Sequence, residues 1–283
     1  MHHWQIRGRV LTIDRPLVMG IVNVTPDSFS DGGRHADPRS AVAHGLELVS
    51  LGADLLDIGG ESTRPGAEPV SEKAELDRIL PVLEELAANV AVPISVDTSK
   101  ATVARIALDS GAAIINDVTA LGDRSMAEVV QKAGAGVILM HMQGTPQTMQ
   151  SDPRYGDVVG EINEFFEQRR RFAQERGINA EQVVLDPGIG FGKTRDHNIE
   201  ILARLAELQR HGRPICLGVS RKGFLGRLLG ERPIERRVAA SLAAACYAMS
   251  KHAVQIIRVH DVQETKDAVT VFETLAGASQ SSI

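Results

Sequence analysis

Polar side chains able to do chemistry recur at one kind of place along this chain, the end of a short apolar run. Asn23, Asp57, Asp97, Asn116, Asp117, His141, Asp186, Ser220, Lys222, Arg258 and His260 each close or follow such a run. The separated acids Asp97 and Asp186 suit recognition of a polar N–H edge, or general acid–base work. A bidentate contact to an amidine-like edge is charge-assisted and contributes on the order of 1.5–3 kcal/mol. Asn116 completes such an edge, because its amide both donates and accepts. Lys222, Arg258 and His260 suit an anion, and Arg258-Val259-His260 leaves its run with two donors on the same side. The structural alternative is that Lys222 or Arg258 neutralises the acids in ion pairs, and that His141 is a satisfied core histidine.

The runs that carry these groups repeat a pattern. Gly52-Ala53-Asp54-Leu55-Leu56-Asp57, Gly111-Ala112-Ala113-Ile114-Ile115-Asn116-Asp117 and Gly134-Ala135-Gly136-Val137-Ile138-Leu139-Met140-His141 each begin at a glycine suited to a helix C-cap. Ala253-Val254-Gln255-Ile256-Ile257-Arg258-Val259-His260 lacks only the glycine. Aliphatic runs without alternation suit strands covered on both faces, as in parallel sheets. Eight strands are expected near Leu17–Val24, Leu55–Ile58, Ile94–Asp97, Ile114–Asp117, Val137–Met140, Val183–Asp186, Ile215–Val219 and Gln255–Val259, each followed by a helix-like stretch. The fold class is α/β, a (β/α)8 TIM barrel, with a short hairpin at residues 1–15 where Trp4 to Ile13 alternates around Arg7-Gly8. In such barrels function sits at the carboxyl ends of the strands, and phosphate often binds near the last two. The glycine-rich loop Asp186-Pro187-Gly188-Ile189-Gly190-Phe191-Gly192-Lys193 lies in that region and, with Arg258, His260 and Lys222, points to a phosphorylated substrate.

Between the strands, Asp37-Pro38 reads as an N-cap and first-turn proline, and Pro81 should kink or divide its helix. A long helix is expected over Asp157–Arg176, closed by Gly177. The Ala- and Leu-rich Arg236–Lys251 helix needs a partner surface, either the barrel or a second subunit. Two loops, Asn23–Gly33 and Gly59–Gly66, are long, polar and glycine-flanked, as expected of lids.

The 283 residues suit one domain, with residues 278–283 expected to fray. A net charge of −5 without a basic stripe argues against nucleic acid as a partner. No apolar stretch is long enough for a membrane span, and no signal-peptide core opens the chain, so no membrane association and a cytoplasmic location are expected. Cys216 and Cys246 read as small buried apolar residues without ligand spacing. There is no zinc motif and no defensible Ser–His–Asp arrangement. A magnesium ion held mainly by a substrate phosphate needs only one or two protein oxygens, such as that of Asn23.

These motifs resemble the dihydropteroate synthase family of pterin-binding proteins. Gly20-Ile21-Val22-Asn23-Val24-Thr25-Pro26-Asp27-Ser28-Phe29-Ser30-Asp31-Gly32-Gly33 is similar to its first signature, and Asp57-Ile58-Gly59-Gly60-Glu61-Ser62-Thr63-Arg64-Pro65-Gly66 to its second. Ser95-Val96-Asp97-Thr98, Ile115-Asn116-Asp117, Met140-His141-Met142-Gln143-Gly144, Asp186-Pro187-Gly188, Ser220-Arg221-Lys222 and Arg258-Val259-His260 follow in order, from the first strand to the eighth.

The resemblance implies condensation of 6-hydroxymethyl-7,8-dihydropterin diphosphate with p-aminobenzoate, giving 7,8-dihydropteroate and diphosphate in folate synthesis. Carried over, Asp97, Asn116, Asp186 and Lys222 hold the pterin edge, Met140 and Phe191 bound its pocket, and Arg258 lies over the ring. Asn23 ligates Mg2+, and Asn23, Thr63, Arg64, Arg258 and His260 serve the diphosphate. Phe29, Thr63, Arg64, Pro65, Ser220 and Lys222 shape the p-aminobenzoate site, while Asp97, Lys222 and Arg64 are the catalytic set. The resemblance also implies a homodimer and competition by sulfonamides. The chain varies at Gly223 and at Val118-Thr119-Ala120 without removing any of these groups. Two alternatives are a methyltetrahydrofolate-binding methyltransferase domain and a non-catalytic pterin-binding paralogue.

Overall fold

The computed structural model describes residues 1–25 and 38–280. Asp27, Phe29 and the Asp37 cap therefore lie outside the described residues.

Arg7-Gly8 makes the turn between β1 (His2–Ile6) and β2 (Arg9–Ile13), an antiparallel pair in which Ile6 faces Arg9. Eight parallel strands follow: β3 (Leu17–Asn23), β4 (Leu55–Gly59), β5 (Ile94–Asp97), β6 (Ile114–Asp117), β7 (Gly136–Met140), β8 (Val183–Asp186), β9 (Cys216–Leu217) and β10 (Ile256–Val259). They lie in the order β8-β7-β6-β5-β4-β3-β10-β9. A parallel bridge from Leu185 to Ile215 closes the ring between β8 and the start of β9. The helices are α1 (Pro38–Ser50), α2 (Glu72–Asn89), α3 (Ala101–Asp109), α4 (Arg124–Ala133), α5 (Val158–Glu175), α6 (Arg195–Ala203), α7 (Gly223–Leu228), α8 (Val238–Ser250) and α9 (Val262–Gln280). The architecture is the (β/α)8 barrel that the strand pattern predicts.

The expected glycine breaks have a common cause. Gly52, Gly111 and Gly134 all take positive φ, where a Cβ is strained, and so turn the chain from helix to strand. Ahead of β10 the same left-handed position is filled by His252 at φ 52°, which explains how that run manages without a glycine. The apolar side chains divide into two cores. One lies between the strands and the helices; the other fills the barrel and includes Met19, Leu55, Ile114, Ile138, Val184, Cys216 and Ile256. Trp4, Ile6 and Ile13 of the hairpin belong to this inner core, so the hairpin plugs the amino-terminal end of the barrel.

Three expectations need correction. The seventh strand is two residues long instead of five. Pro214, which has no N–H, precedes it, and the Gln255 side chain takes the Ile215 N–H at 2.8 Å. Pro81 does not divide α2: Ile79, Val82, Leu83 and Leu86 are all fully buried around it and hold a single helix across the missing bond. Cys246 is only half-buried, packed against the edge of the outer core. Helix α9 runs to Gln280, and residues 281–283 of the expected frayed end lie outside the described residues.

Candidate active site

Strand register decides which side chains share a level. Asn23 pairs with Gly59, Gly59 with Asp97, and Asp97 with Asn116, placing these in one row across β3 to β6. Met140 pairs with Asp186 across β7 and β8. Successive strand residues point to opposite faces. Asn116 accordingly reaches Asp57, whereas Asp117 accepts hydrogen bonds from the Thr119 and Leu121 amides, at 2.8 and 2.7 Å, and ties its own loop. Asp117 is therefore a turn residue and not part of the site.

The centre of the row is charged and largely buried. Arg258 donates from Nε to Asp57 Oδ2 at 2.6 Å and from Nη2 to Asp97 Oδ2 at 3.0 Å. Asn116 Nδ2 donates to the same Asp57 oxygen at 3.0 Å. Asp57 is fully buried, and its Oδ1 has no partner among the described residues. Burial pushes the Asp97 carboxyl up to about 7, against the pull of Arg258. Burial also raises Asp186, although the Gly188 amide donates to its Oδ1 at 2.7 Å. Lys222 is pushed down to about 8 by burial, with Asp186 opposing, and its ammonium lies 4.1 Å from the centre of the Phe191 ring. His260 falls to about 4, first through burial and then through Arg258; its Nδ1 lies 3.0 Å from Ser220 Oγ. Arg258 thus does pair with the acids, yet Asp97 and the half-buried Lys222 still line the cavity, groups that a ligand can engage.

Above this floor opens a cavity of about 540 Å³. Asn23, Thr63, Arg64, Pro65, Asp97, Phe191, Ser220, Lys222, Arg258 and His260 all line it. Asn116, Met140 and Asp186 are buried in the floor and are not on its wall. Phe29 falls outside the described residues. Asn116 is joined to the wall by its register with Asp97, and Met140 and Asp186 lie side by side beneath it.

The glycine-rich loop serves differently from a phosphate cradle. Its amides are used internally: Gly188 N–H donates to Asp186, Gly190 N–H to Asn198 Oδ1 at 2.7 Å, and Phe191 N–H to Gly188 O at 3.0 Å. At Gly188, φ is +66° and a Cβ would lie 1.9 Å from the His141 carbonyl oxygen, so only glycine permits this packing. Lys193 is 1% exposed and donates to the carbonyls of His141 and Phe191, at 3.2 and 2.9 Å, with its Nζ also 3.0 Å from His141 Nδ1. Burial brings Lys193 down to about 7 and His141 to about 2. The pair braces the loop that presents Phe191, and His141 is a core histidine. Lys193 closes a glycine loop that reads as an anion site, and Asp57 is marked only by its strand-end position; burial, which no local pattern shows, is what turns Lys193 inward.

Among the described residues, no group of three or more His, Cys, Asp or Glu side chains is placed to hold a metal ion. Asn23 is half-buried at the cavity wall and supplies one hard oxygen. That donor set fits a magnesium ion whose other ligands are phosphate and water.

Geometry of this kind, acids on the floor and cations along one wall, defines a barrel enzyme for a nitrogen-rich, anionic substrate. A family profile described as "Pterin binding enzyme" matches residues 19–260. The chain is 47% identical over 274 residues to a dihydropteroate synthase of Escherichia coli strain K12, covering 97% of this chain and 96% of the relative. Among solved structures, a Yersinia pestis dihydropteroate synthase in a sulfonamide drug complex aligns with a TM-score of 0.92 at 48% identity, covering 97% of this chain and 99% of that one. A Xanthomonas albilineans dihydropteroate synthase in complex with 7,8-dihydropteroate aligns at 0.87 and 45% identity, covering 97% and 98%. The chain belongs to the pterin-binding enzymes and, within them, to the dihydropteroate synthase family.

Proposed function

We propose that this chain makes 7,8-dihydropteroate by joining 6-hydroxymethyl-7,8-dihydropterin diphosphate to p-aminobenzoate, with release of diphosphate. The observation that carries the reading is the juxtaposition, around one cavity, of the Asp97–Asn116–Asp186 floor and the Lys222, Arg258 and His260 wall. The floor accepts and donates along the pterin's amidine-like edge, with Met140 and Phe191 bounding the ring. Burial of the floor strengthens these contacts, because a low local dielectric screens them less. Lys222, over Phe191 and within the field of Asp186, is in this scheme the cation offered to the pterin edge and to the incoming amine.

Leaving-group departure puts charge at two places. Arg258, His260, Thr63 and Arg64 face the departing diphosphate, with Asn23 as the protein oxygen for Mg2+, which when bound offsets phosphate charge. The methylene left on the conjugated ring is a delocalised cation and needs no protein nucleophile. Asp97, ionised beside it, offsets its charge in a preorganised site. Thr63, Arg64, Pro65 and Ser220 then direct the amine of p-aminobenzoate to the methylene, and the loop that carries Thr63, Arg64 and Pro65 helps to exclude water. Ionisation precedes amine attack in this scheme, so bridge-to-nonbridge oxygen scrambling in labelled pterin diphosphate is expected without the amine. Bond breaking strictly dependent on the amine would replace it with a concerted displacement.

The decisive test is diphosphate release with Mg2+, with and without p-aminobenzoate. Release that needs p-aminobenzoate and equals dihydropteroate formed is the expected result; pterin binding without turnover would leave a pterin-binding paralogue. A sulfonamide should inhibit competitively and be displaced by p-aminobenzoate; inhibition unmoved by p-aminobenzoate would remove it from that subsite.

The working unit in this proposal is a homodimer in the cytoplasm. Helix α8 turns Ser241, Ala245, Ala248 and Met249 to the core and leaves Ala239, Ala243 and Tyr247 exposed, an apolar outer face suited to a second copy. Sedimentation as a monomer at micromolar concentration would argue against the dimer. Among the described residues no helix is long and apolar enough to cross a membrane.

A further inference from the structure

The loop after β4 carries Thr63, Arg64 and Pro65 into the cavity, and its foot is held far more firmly than its tip. At the foot, the Gly60 carbonyl accepts from Arg78 Nη1 on α2 at 2.7 Å. A Cβ at Gly60 would lie 2.6 Å from Ile79 Cγ2, so the backbone rests directly on that helix. Glu61, on the cavity wall, is salt-bridged to Lys100 Nζ. The same ammonium lies 2.6 Å from Glu75 Oε2, a carboxylate whose side chain is 0% exposed. Glu75 Oε1 finds no partner among the described residues. Beyond Glu61 no side-chain salt bridge holds the tip among the described residues, and its contacts are the Ser62 hydroxyl near the Arg64 amide, at 3.5 Å, the Ala67 amide on Arg64 O, at 3.1 Å, and the Gly66 amide on Pro146 O, at 3.0 Å.

Lys100 also stands close to the floor in sequence and in space. Its amide donates to Thr98 Oγ1 at 3.2 Å, and the Thr98 amide donates to Asn116 O at 3.1 Å. The turn Asp97-Thr98-Ser99-Lys100 therefore joins the pterin-floor carboxylate to the ammonium that grips the loop. A buried carboxylate such as Glu75 is costly to keep unless it is paired, and a hydrophobic residue of its size would fill the space without that cost. Its burial is accounted for if it fixes where Lys100, and through it Glu61, must stand.

We infer that Lys100 is a positioning residue: held by Glu75, it fixes Glu61 and so sets where Thr63 and Arg64 meet the amine substrate and the departing diphosphate. The inference rests on the proposed synthase reading for its kinetic consequence, though not for its structural one. Lys100 touches no substrate in this scheme, so its loss should be felt at the loop and leave the pterin floor intact.

Three variants separate positioning from plain stability. Lys100→Met breaks the clamp but leaves Glu75 buried and unpaired. Lys100→Met/Glu75→Gln breaks it while removing that charge, and Lys100→Arg keeps it. Hydrogen exchange should quicken about tenfold across residues 61–66 in the first two and remain unchanged across 94–97, with KM for p-aminobenzoate rising by about the same factor and pterin affinity moving less than about twofold. The double variant should recover thermal stability without recovering loop protection or KM, and Lys100→Arg should restore both. Wild-type exchange at 61–66 in the double variant, or a KM that returns together with stability, would overturn the inference. Should the wild-type chain make no dihydropteroate, the synthase reading falls by itself, and the exchange contrast still decides whether the clamp exists.

Discussion

The two ends of the barrel bury comparable side chains for opposite ends. At the amino-terminal end Trp4, Ile6 and Ile13 close on Met19, Leu55, Ile114 and Ile256, and the one indole N–H is met by Gln182 O at 2.9 Å. At the carboxyl end the same strands finish in Asp57, Asp97, Asn116 and Asp186, each less than a tenth exposed, around Arg258. Burying apolar surface stabilises the fold by about 25 cal/mol per Å². Burying paired charges returns little, because desolvation offsets the attraction. One end therefore holds the barrel closed, and the other holds charges at a readiness that only a ligand can use.

Damage to each end should consequently appear in a different observable. Trp4→Ala empties a fully buried site and should cost about 3–5 kcal/mol of stability. For a chain of this size that lowers Tm by roughly 10 °C, while kcat/KM measured well below the transition stays at the wild-type value. A loss of activity at full folding would mean that the plug also shapes the mouth, and the contrast would fail. Asp97→Asn is the mirror case, with about 2–5 kcal/mol lost from pterin binding and turnover. Its Tm should hold or rise above pH 7. The sign follows from the raised carboxyl: the native state holds that proton more tightly than the unfolded chain. The corresponding stability is full below about 3.8 and is lost as pH climbs through about 7, a loss the asparagine avoids. A cooperative drop in Tm at pH 8 would instead make Asp97 a structural partner of Arg258.

The same carboxyl gives a smaller, sharper test. With Asp97 near 7, pterin without its diphosphate should bind more tightly as pH rises from about 6 to 8, approaching tenfold, and Asp97→Asn should flatten the profile. Calorimetric titration across that range checks it; a slope that survives the asparagine would move the dependence to the ligand or to Asp186.

How much of each end the sequence reveals follows from the same contrast. Strand ends are legible because a strand covered on both faces is an unbroken apolar run, so the residue that stops it stands out: Asp97, Asn116 and Asp186 are found that way. The helix-to-strand glycines are legible because positive φ leaves few alternatives, and His252 shows the pattern surviving without one. The plug is not legible. Trp4 alternates like any hairpin residue, and only tertiary contact shows that it fills the barrel. Lys193 is misleading for a related reason, since a lysine after three glycines suits an anion until three internal contacts are seen to occupy it. The two-residue seventh strand depends on how the ring closes at Leu185 and Ile215, a property of the whole barrel that no local run encodes.

Within the mouth itself the two walls should respond to acid in opposite directions, and His260 is the group that tests it. Its ring is held near 4 by burial and then by Arg258, with Arg221 and Lys222 acting the same way and Asp261 against. In the free protein it is therefore neutral at pH 7, and its share of folding stability declines as pH falls through about 6.5 towards 4. A polyanion at the same wall reverses the local field and favours the imidazolium, so inorganic diphosphate should be bound with proton uptake. Comparing His260→Gln with wild type cancels the ligand's own titration. The variant should lose about threefold in diphosphate affinity near pH 5.5 and almost nothing near pH 8, smaller than the Asp97 effect and opposite to it in sign. A loss equal at both pH values would make His260 a fixed hydrogen-bond donor, and the mouth would then have one pH-dependent wall where two are expected.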